Sequence, residues 1–195
     1  MEKPCLFLLT VALAASAAIA QPSLAAIPAA EQATISIQNL AHHAPAAARK
    51  AYSKAARAVA DDNLQEAIDQ LETGLESDPE NADAHSDAGV LYTMTGNPEK
   101  AISHFEKALK INPKASGANL LLGLSMVELQ RYTDAAALPL ERVKLSFPAA
   151  RMALADIHLH QGNLEKAREE VLAYLATTHT AYRRTAEAWL QMTTF

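Results

Sequence analysis

The feature that most constrains the fold of this chain is an internal repeat with a period of 34 residues. When the sequence is shifted by that period, residues 66–84 align with residues 100–118. The aligned pairs keep their chemical type, apolar on apolar and proline on proline: Ala67–Ala101, Leu71–Phe105, Leu75–Leu109 and Pro79–Pro113. A period of about 20–50 residues is typical of proteins that stack one supersecondary unit on the next.

The same motif returns further along the chain at a slightly shorter interval. GNPEKA at 96–101 recurs as GNLEKA at 162–167, an offset of 66 residues, or two periods less two residues. We therefore expect a unit between them to be two residues short.

Each unit has the pattern of two helices joined by a tight turn. In the best-formed unit, Gly96-Asn97-Pro98 predicts the turn and Asn112-Pro113 predicts the end of the second helix. Small residues recur where the helix backbones would cross, and bulky ones where the space between successive pairs must be filled. The small residues are Gly89, Gly123, Ala55 and Ala155 on first helices and Ala67, Ala101, Ala135 and Ala167 on second helices; the bulky ones are Leu71, Phe105 and Val171.

Composition agrees with a helical chain. Alanine dominates the hydrophobic residues, and only 5% of the chain is aromatic. Alanine favours helix and lets helices approach closely, and runs with the two-residue alternation of strands are missing. We therefore predict an all-α fold. The net charge of −5, with no basic patch, argues against binding to nucleic acid or to an anionic membrane surface.

The first 20 residues have the features of a secretory signal peptide. A lysine precedes an unbroken run of weakly polar and apolar residues, which ends in Ala18-Ile19-Ala20, the small-x-small pattern that a signal peptidase cuts. At about 16 residues the run is shorter than the roughly 20 of a membrane-spanning helix. We predict cleavage after Ala20, with cleavage after Ala25 and an uncleaved anchor as alternatives.

The segment around the cut carries two further expectations. No apolar segment precedes Cys5, the single cysteine, so a lipid anchor on it is not expected, and the mature chain would contain no cysteine. Residues 21–44 are predicted to be a flexible lead before a helix that begins at Pro45. An apolar patch in this lead, Ile35, Ile37 and Leu40, raises the alternative that the lead occupies the chain's own binding surface.

On these residues the chain resembles the tetratricopeptide repeat family. Residues 82–115 carry the family signature most completely, with Gly89, Tyr92, Gly96, Ala101, Phe105, Ala108 and Pro113 in place. The resemblance implies an α-solenoid of about four antiparallel helix hairpins and a C-terminal capping helix. The implied units are 48–81, 82–115, 116–147 and 148–181, the capping helix is 182–192, and the repeat domain is 45–195.

The unit at 116–147 departs most from the family pattern. Pro139 takes the place of the aromatic residue of the second helix. Proline inside a helix removes a backbone hydrogen bond and clashes with the preceding turn, so we expect a kinked or shortened helix. At the end of the chain, Trp189 and Leu190 are predicted to cover the open end of the stack.

Proteins of this family generally bind peptides or partner proteins in a groove lined by their first helices. The resemblance implies a groove that is apolar in the middle and polar at its edges, which suits an apolar or amphipathic segment. The implied groove residues are Arg49, Tyr52, Val59, Asp83, Ser86, Val90, Thr93, Leu120, Leu124, Val127, Met152, Asp156, Leu159 and His160. For Val59 and Leu124, helix packing is an equal alternative.

One ligand class of the family is excluded. A subset of members binds the C-terminal carboxylate of chaperones with cationic and amide side chains on the first helices. The comparable positions here hold no cation: Tyr52, Ala56, Asp87, Gly117 and Leu121. The partner is therefore expected to be a protein or peptide of another kind, and the sequence does not identify it.

Catalytic and metal-binding patterns are weak. The chain has no glycine-rich phosphate loop, no Gly-x-Ser-x-Gly elbow and no His-Glu-x-x-His motif, and its histidines are scattered. His158 and His160 point to different sides of one helix. Asp156 and His160 share a face, where a solvated pair is favoured over a weak metal site. We expect no enzymatic activity, no cofactor and no metal.

Together these features predict a non-catalytic adaptor or scaffold of the bacterial envelope, periplasmic or secreted, that binds a protein partner. The first alternative is a self-assembling component of an envelope complex, a homo-oligomer formed through the ends of the array and Trp189. The second is a weakly metal-binding or enzymatic protein centred on Asp156 and His160.

Overall fold

The computed structural model describes residues 44–179 and 181–193, and this part of the chain is all helical, without strands. The predicted signal peptide, its cleavage sites and the lead up to residue 43 lie outside the described residues. The helices are α1 (Ala46–Ala60), α2 (Leu64–Ser77), α3 (Ala82–Met94), α4 (Pro98–Ile111), α5 (Ser116–Glu128), α6 (Asp134–Val143), α7 (Ala149–His160), α8 (Leu164–Leu175) and α9 (Arg183–Thr193).

The helices form four consecutive hairpins, α1–α2, α3–α4, α5–α6 and α7–α8, and α9 packs on α8. Successive hairpins contact each other through α2–α3, α4–α5 and α6–α7, and the first helices also contact directly at α3–α5 and α5–α7. The predicted all-α solenoid of helix hairpins is confirmed. Among the described residues, no helix is long and apolar enough to cross a membrane.

The hairpin turns share one backbone conformation. A residue with positive φ stands at the equivalent place of each turn: Asp62 (58°), Gly96 (71°), Gln130 (56°) and Gly162 (76°). This left-handed conformation ends the first helix and favours glycine. The 34-residue period pairs Asp62 with Gly96, and the GNPEKA–GNLEKA repeat pairs Gly96 with Gly162. Aspartate adopts this conformation more often than most residues do, whereas the glutamine at 130 does not mark it.

Asparagine is the N-cap residue of several helices, and its side chain satisfies the first turn. Asn63, Asn81 and Asn163 each accept a hydrogen bond through the side-chain oxygen from the backbone N–H three residues later. This cap satisfies one of the N–H groups that lack a partner in the first turn.

The first helix was expected to begin at Pro45. It begins one residue later, at Ala46, and Pro45 is its N-cap.

The third hairpin differs from the others, as its proline predicts. Helix α6 has 10 residues, against 14 in α2 and α4 and 12 in α8, and it contains Pro139. It begins four residues after the left-handed Gln130, whereas each of the other second helices begins two residues after the corresponding turn residue. The expected shortening is therefore present, on both sides of the proline.

The longer turn shifts the packing register of α6 by one residue, which corrects two sequence expectations. Ala136 is fully buried and Ala135 is exposed, so Ala136 takes the place of Ala101 in the preceding hairpin. A methyl group at Gly123 would collide with the Leu140 side chain, so Leu140 takes the place of Phe105. Pro139 is therefore not at the aromatic position.

In each of the first two hairpins, an aromatic ring on one helix packs against a glycine on the other. A Cβ at Gly89 would lie 2.5 Å from Phe105 Cε1, and one at Gly74 would collide with the Tyr52 ring. Phe105 is fully buried and Tyr52 is 1% exposed. These contacts place the two rings between the helices of a hairpin, because only glycine leaves room for a ring against the helix backbone.

The last helix closes the array. Trp189 is 1% exposed and lies in a cluster with apolar residues of α7 and α8, including Met152, Val171 and Tyr174. The Tyr174 hydroxyl accepts a hydrogen bond from the Tyr182 backbone N–H, which fixes the start of α9. Trp189 thus covers the end of the stack with its own side chain buried, and it does not provide the exposed assembly surface of the homo-oligomer alternative.

Candidate functional site

The contacts of α3 with α5 and of α5 with α7 bring three first helices side by side in one surface. Half of the predicted groove residues are buried in the packing of these helices and of α1: Tyr52, Val90, Leu120, Leu124, Val127, Met152 and Asp156. The others keep exposed surface. Arg49, Asp83 and His160 are exposed, and Val59, Ser86, Thr93 and Leu159 are half-buried.

Helix α5 explains why the apolar middle of the predicted groove is buried. Every residue from Ala118 to Val127 is buried, and a helix that is apolar on all sides belongs inside a protein. Helix α5 lies between α3 and α7 and also contacts α4 and α6. Leu120 and Leu124 are therefore covered by neighbouring helices. The packing interpretation of Leu124 is therefore favoured, and contact of these residues with a ligand stays a prediction.

One exposed apolar residue of this surface was not predicted from the sequence. Met94, at the end of α3, is 53% exposed. It follows Val90 by four residues and Asp83 by eleven, which places it on the same face of the helix. The spacing was available in the sequence, but Gly96 predicts a turn close by. The sequence therefore did not show whether Met94 still belongs to the helix.

Asp156 and His160 form a local pair. Asp156 Oδ1 lies 3.3 Å from His160 Nδ1, and the His160 ring stacks on Tyr132 with 3.7 Å between centroids. Burial raises the pKa of Asp156, and the neighbouring His160 opposes that rise. Within residues 44–179 and 181–193, no three His, Cys, Asp or Glu side chains are grouped to hold a metal ion.

A second polar cluster, which was not predicted from the sequence, joins the first two hairpins. His85 Nδ1 of α3 lies 3.2 Å from His104 Nδ1 of α4, and His104 Nε2 lies 3.0 Å from Glu72 Oε1 of α2. The Tyr92 hydroxyl donates to the same Glu72 oxygen at 3.0 Å. Burial and this hydrogen bond raise the pKa of Tyr92 to about 12. The histidines are far apart in sequence, so only the helix pairing brings them together.

A third polar cluster joins the last two hairpins. The buried Glu170 of α8 binds Lys144, just after α6, at 2.6 Å and Arg151 of α7 at 2.8 Å. Lys144 also contacts Glu141 at 2.7 Å. These ion pairs link three helices, and no sequence motif marks them.

Comparison with known proteins agrees with this architecture. A family model described as tetratricopeptide repeat matches three overlapping stretches of the chain, residues 52–116, 95–144 and 120–188. Together the stretches cover more than half of the chain.

The chain is also similar to individual proteins. It is 30% identical over 94 residues to the Protein SGT1 homolog of Oryza sativa subsp. japonica, across 48% of this chain and 26% of that protein. The chain thus spans about a quarter of the length of the curated relative that it matches.

Two solved structures have a similar fold. MamA from Desulfovibrio magneticus RS-1 has a TM-score of 0.65 and 16% identity, over 77% of this chain and 93% of that one. YrrB, described as a tetratricopeptide repeat protein with an unusual peptide-binding site, has a TM-score of 0.64 and 20% identity, over 74% and 75%.

Proposed function

The chain belongs to the tetratricopeptide repeat family, and from that premise we propose that it is an adaptor that binds an amphipathic peptide segment of a partner protein across α3, α5 and α7. The family fold supports a role in protein–protein interaction, and its members generally act without catalysis. The segment and the surface are the parts proposed here.

The observation that carries the proposal is the direct packing of the three first helices. Contacts of α5 with α3 and with α7 put the three helices side by side. The exposed side chains that we assign to the surface lie on α3 and α7, because α5 is buried from Ala118 to Val127. That surface offers apolar area at Met94 and Leu159 and polar groups at Asp83, Ser86 and His160. Since the surface offers both apolar and polar groups, an amphipathic segment suits it better than a purely apolar one.

Replacing Met94 by glutamate should weaken binding of such a segment by about tenfold or more, because a charge replaces apolar contact area. The ligand is obtained by selecting random displayed peptides on the purified chain and measuring the dissociation constant of the enriched peptide. Leu172→Glu is the matched control, because Leu172 lies on the second helix α8 and is 49% exposed, close to the 53% of Met94. Equal weakening by the two variants, or enrichment of purely acidic peptides, would contradict the proposed surface.

We further propose that the protein acts in the bacterial envelope after cleavage of residues 1–20. The support is the sequence pattern of the first 20 residues. Expressed from its own start codon in a bacterium, the chain should be recovered from the periplasm or medium with Gln21 as its first residue. Intact-mass measurement checks this, and Ala18→Lys/Ala20→Lys should leave the full mass. Recovery of the uncleaved wild-type chain from the cytoplasm would refute export.

A further inference from the structure

The histidine pair between the first two hairpins forms a hydrogen-bonded chain with an acceptor at each end. His85 Nε2 lies 3.1 Å from the Pro79 carbonyl oxygen, the two Nδ1 atoms lie 3.2 Å apart, and His104 Nε2 lies 3.0 Å from Glu72 Oε1. Both histidines are 6% exposed. The chain runs from the loop before α3, through α3 and α4, to α2.

The number of protons that this chain can hold follows from its geometry. The Pro79 carbonyl and an ionised Glu72 only accept, so both Nε2 atoms must carry hydrogen, and the Nδ1–Nδ1 contact needs one more. Two neutral imidazoles carry two N–H groups, and a pair with one positive charge carries the three that are needed. A pair with two positive charges would place two N–H groups against each other 3.2 Å apart.

We propose that His85 and His104 form an acid-sensitive joint between the first two hairpins, which accepts at most one positive charge and loosens when both imidazoles become charged. The change at the joint is the loss of the Nδ1–Nδ1 hydrogen bond. That bond links α3 to α4, and through Glu72 it links both helices to α2.

The charged groups around the pair come from every helix packed against it. Glu72 of α2 and Glu80 of the α2–α3 loop favour a charged imidazole, and Lys107 of α4 disfavours it. The Tyr92 hydroxyl of α3 donates a hydrogen bond to Glu72. The Lys100 ammonium of α4 lies over the Tyr92 ring, 5.1 Å from its centroid. Burial is the largest effect, and it lowers the pKa of both His85 and His104.

The direction of the pH effect follows from these lowered pKa values. The unfolded chain takes up a proton on each histidine near the ordinary value of 6.5, whereas the folded pair takes up its protons only at lower pH. The contribution of the two histidines to folding stability is therefore complete above that value, and it falls as the pH drops through the folded pKa values. The first proton supplies the hydrogen of the Nδ1–Nδ1 bond, so the loosening of the joint follows the second proton. His85 lines an open cleft of about 460 Å³, through which solvent protons reach the pair.

Nuclear magnetic resonance of the unaltered chain tests the joint directly. Long-range proton–nitrogen spectra should show His85 protonated at Nε2 and not at Nδ1 at about pH 7.5. On acidification, the second imidazole should become charged only together with the loss of native amide signals in α2 and α3. If both rings become imidazolium near their ordinary pKa while the native amide spectrum is unchanged, the proposal is wrong.

Variants separate the joint from general acid denaturation. Lowering the pH from about 7.5 to below the folded pKa values should reduce the wild-type folding constant. The expected reduction is about tenfold for each unit by which burial lowers a histidine pKa. His85→Gln/His104→Gln should lose that part of the acid sensitivity, measured by urea unfolding at both pH values. His179→Gln is the control, because His179 is exposed and lies outside the joint. Equal acid sensitivity of the double variant and the wild type would overturn the proposal, and the spectra of the unaltered chain decide it if the double variant does not fold.

Discussion

Replacing Phe105 by alanine should lower the free energy of unfolding by about 3–5 kcal/mol, the usual cost of removing a buried phenylalanine ring. The ring is fully buried, and it packs against the bare backbone of Gly89. Its loss leaves a cavity between the two helices of the most regular hairpin. Urea unfolding followed by circular dichroism measures the change, and Leu172→Ala, at a half-exposed position of α8, should cost less than about 0.5 kcal/mol.

A double-mutant cycle with Gly89 identifies the cause of that cost. In the wild type, Gly89→Ala should destabilise by about 1–3 kcal/mol through overpacking, because its methyl group would lie 2.5 Å from Phe105 Cε1. In the Phe105→Ala variant the same methyl group fills part of the cavity, and alanine is about 1 kcal/mol better than glycine inside a helix. Gly89→Ala should therefore become stabilising in that background. The same cost in both backgrounds would show that the two residues are not packed together.

Replacing Glu170 by glutamine should lower the free energy of unfolding by about 2–4 kcal/mol, because it leaves two partly buried cations without their common anion. Glu170 is 8% exposed and binds Lys144 and Arg151, which stand at the junction of the last two hairpins. Glutamine keeps the size of the side chain, removes the charge, and leaves one oxygen in place of the two that accept from Lys144 and Arg151. The change is measured by urea unfolding at low salt and at about 1 M salt. The cost should be similar at both, because dissolved ions screen buried ion pairs only weakly.

The exposed pair of Arg183 and Glu187 provides the control for this prediction. Its atoms lie 3.5 Å apart, and its side chains are 39% and 51% exposed. Glu187→Gln should cost no more than about 0.5–1 kcal/mol. If Glu170→Gln is as mild as Glu187→Gln, the junction of the last hairpins does not depend on its buried ion pairs.

The family, the hairpin order and the turn positions could be predicted from the sequence because they depend on local patterns. The period of 34 residues aligns Ala67 with Ala101, and both are fully buried at the start of a second helix. The same alignment was wrong in the third hairpin, where the longer turn after Gln130 moves Ala136 and Leu140 into the core. A periodic pattern does not show where a turn takes up an extra residue, because the turn has no period of its own.

The candidate surface was predicted less well than the fold. The helical period places Val90, Leu124 and Met94 alike on inner faces of first helices, but it does not show how closely the next helix approaches. In the structure Val90 and Leu124 are buried by that approach and Met94 is not. Burial is a property of the packed array, so a list of face residues contains core residues and surface residues together.

The sequence by itself thus determined that this chain is a stack of helix hairpins with small residues at the crossings and tight turns between helices. Those features follow from spacings within about one repeat, which a linear pattern records. Only the tertiary structure decided that His85 meets His104 and that Glu170 meets Lys144 and Arg151. The paired residues are 19 to 26 positions apart and lie on different helices or, for Lys144, just after one. Their contact depends on the rotation of each helix about its axis, which packing sets to within the width of one side chain.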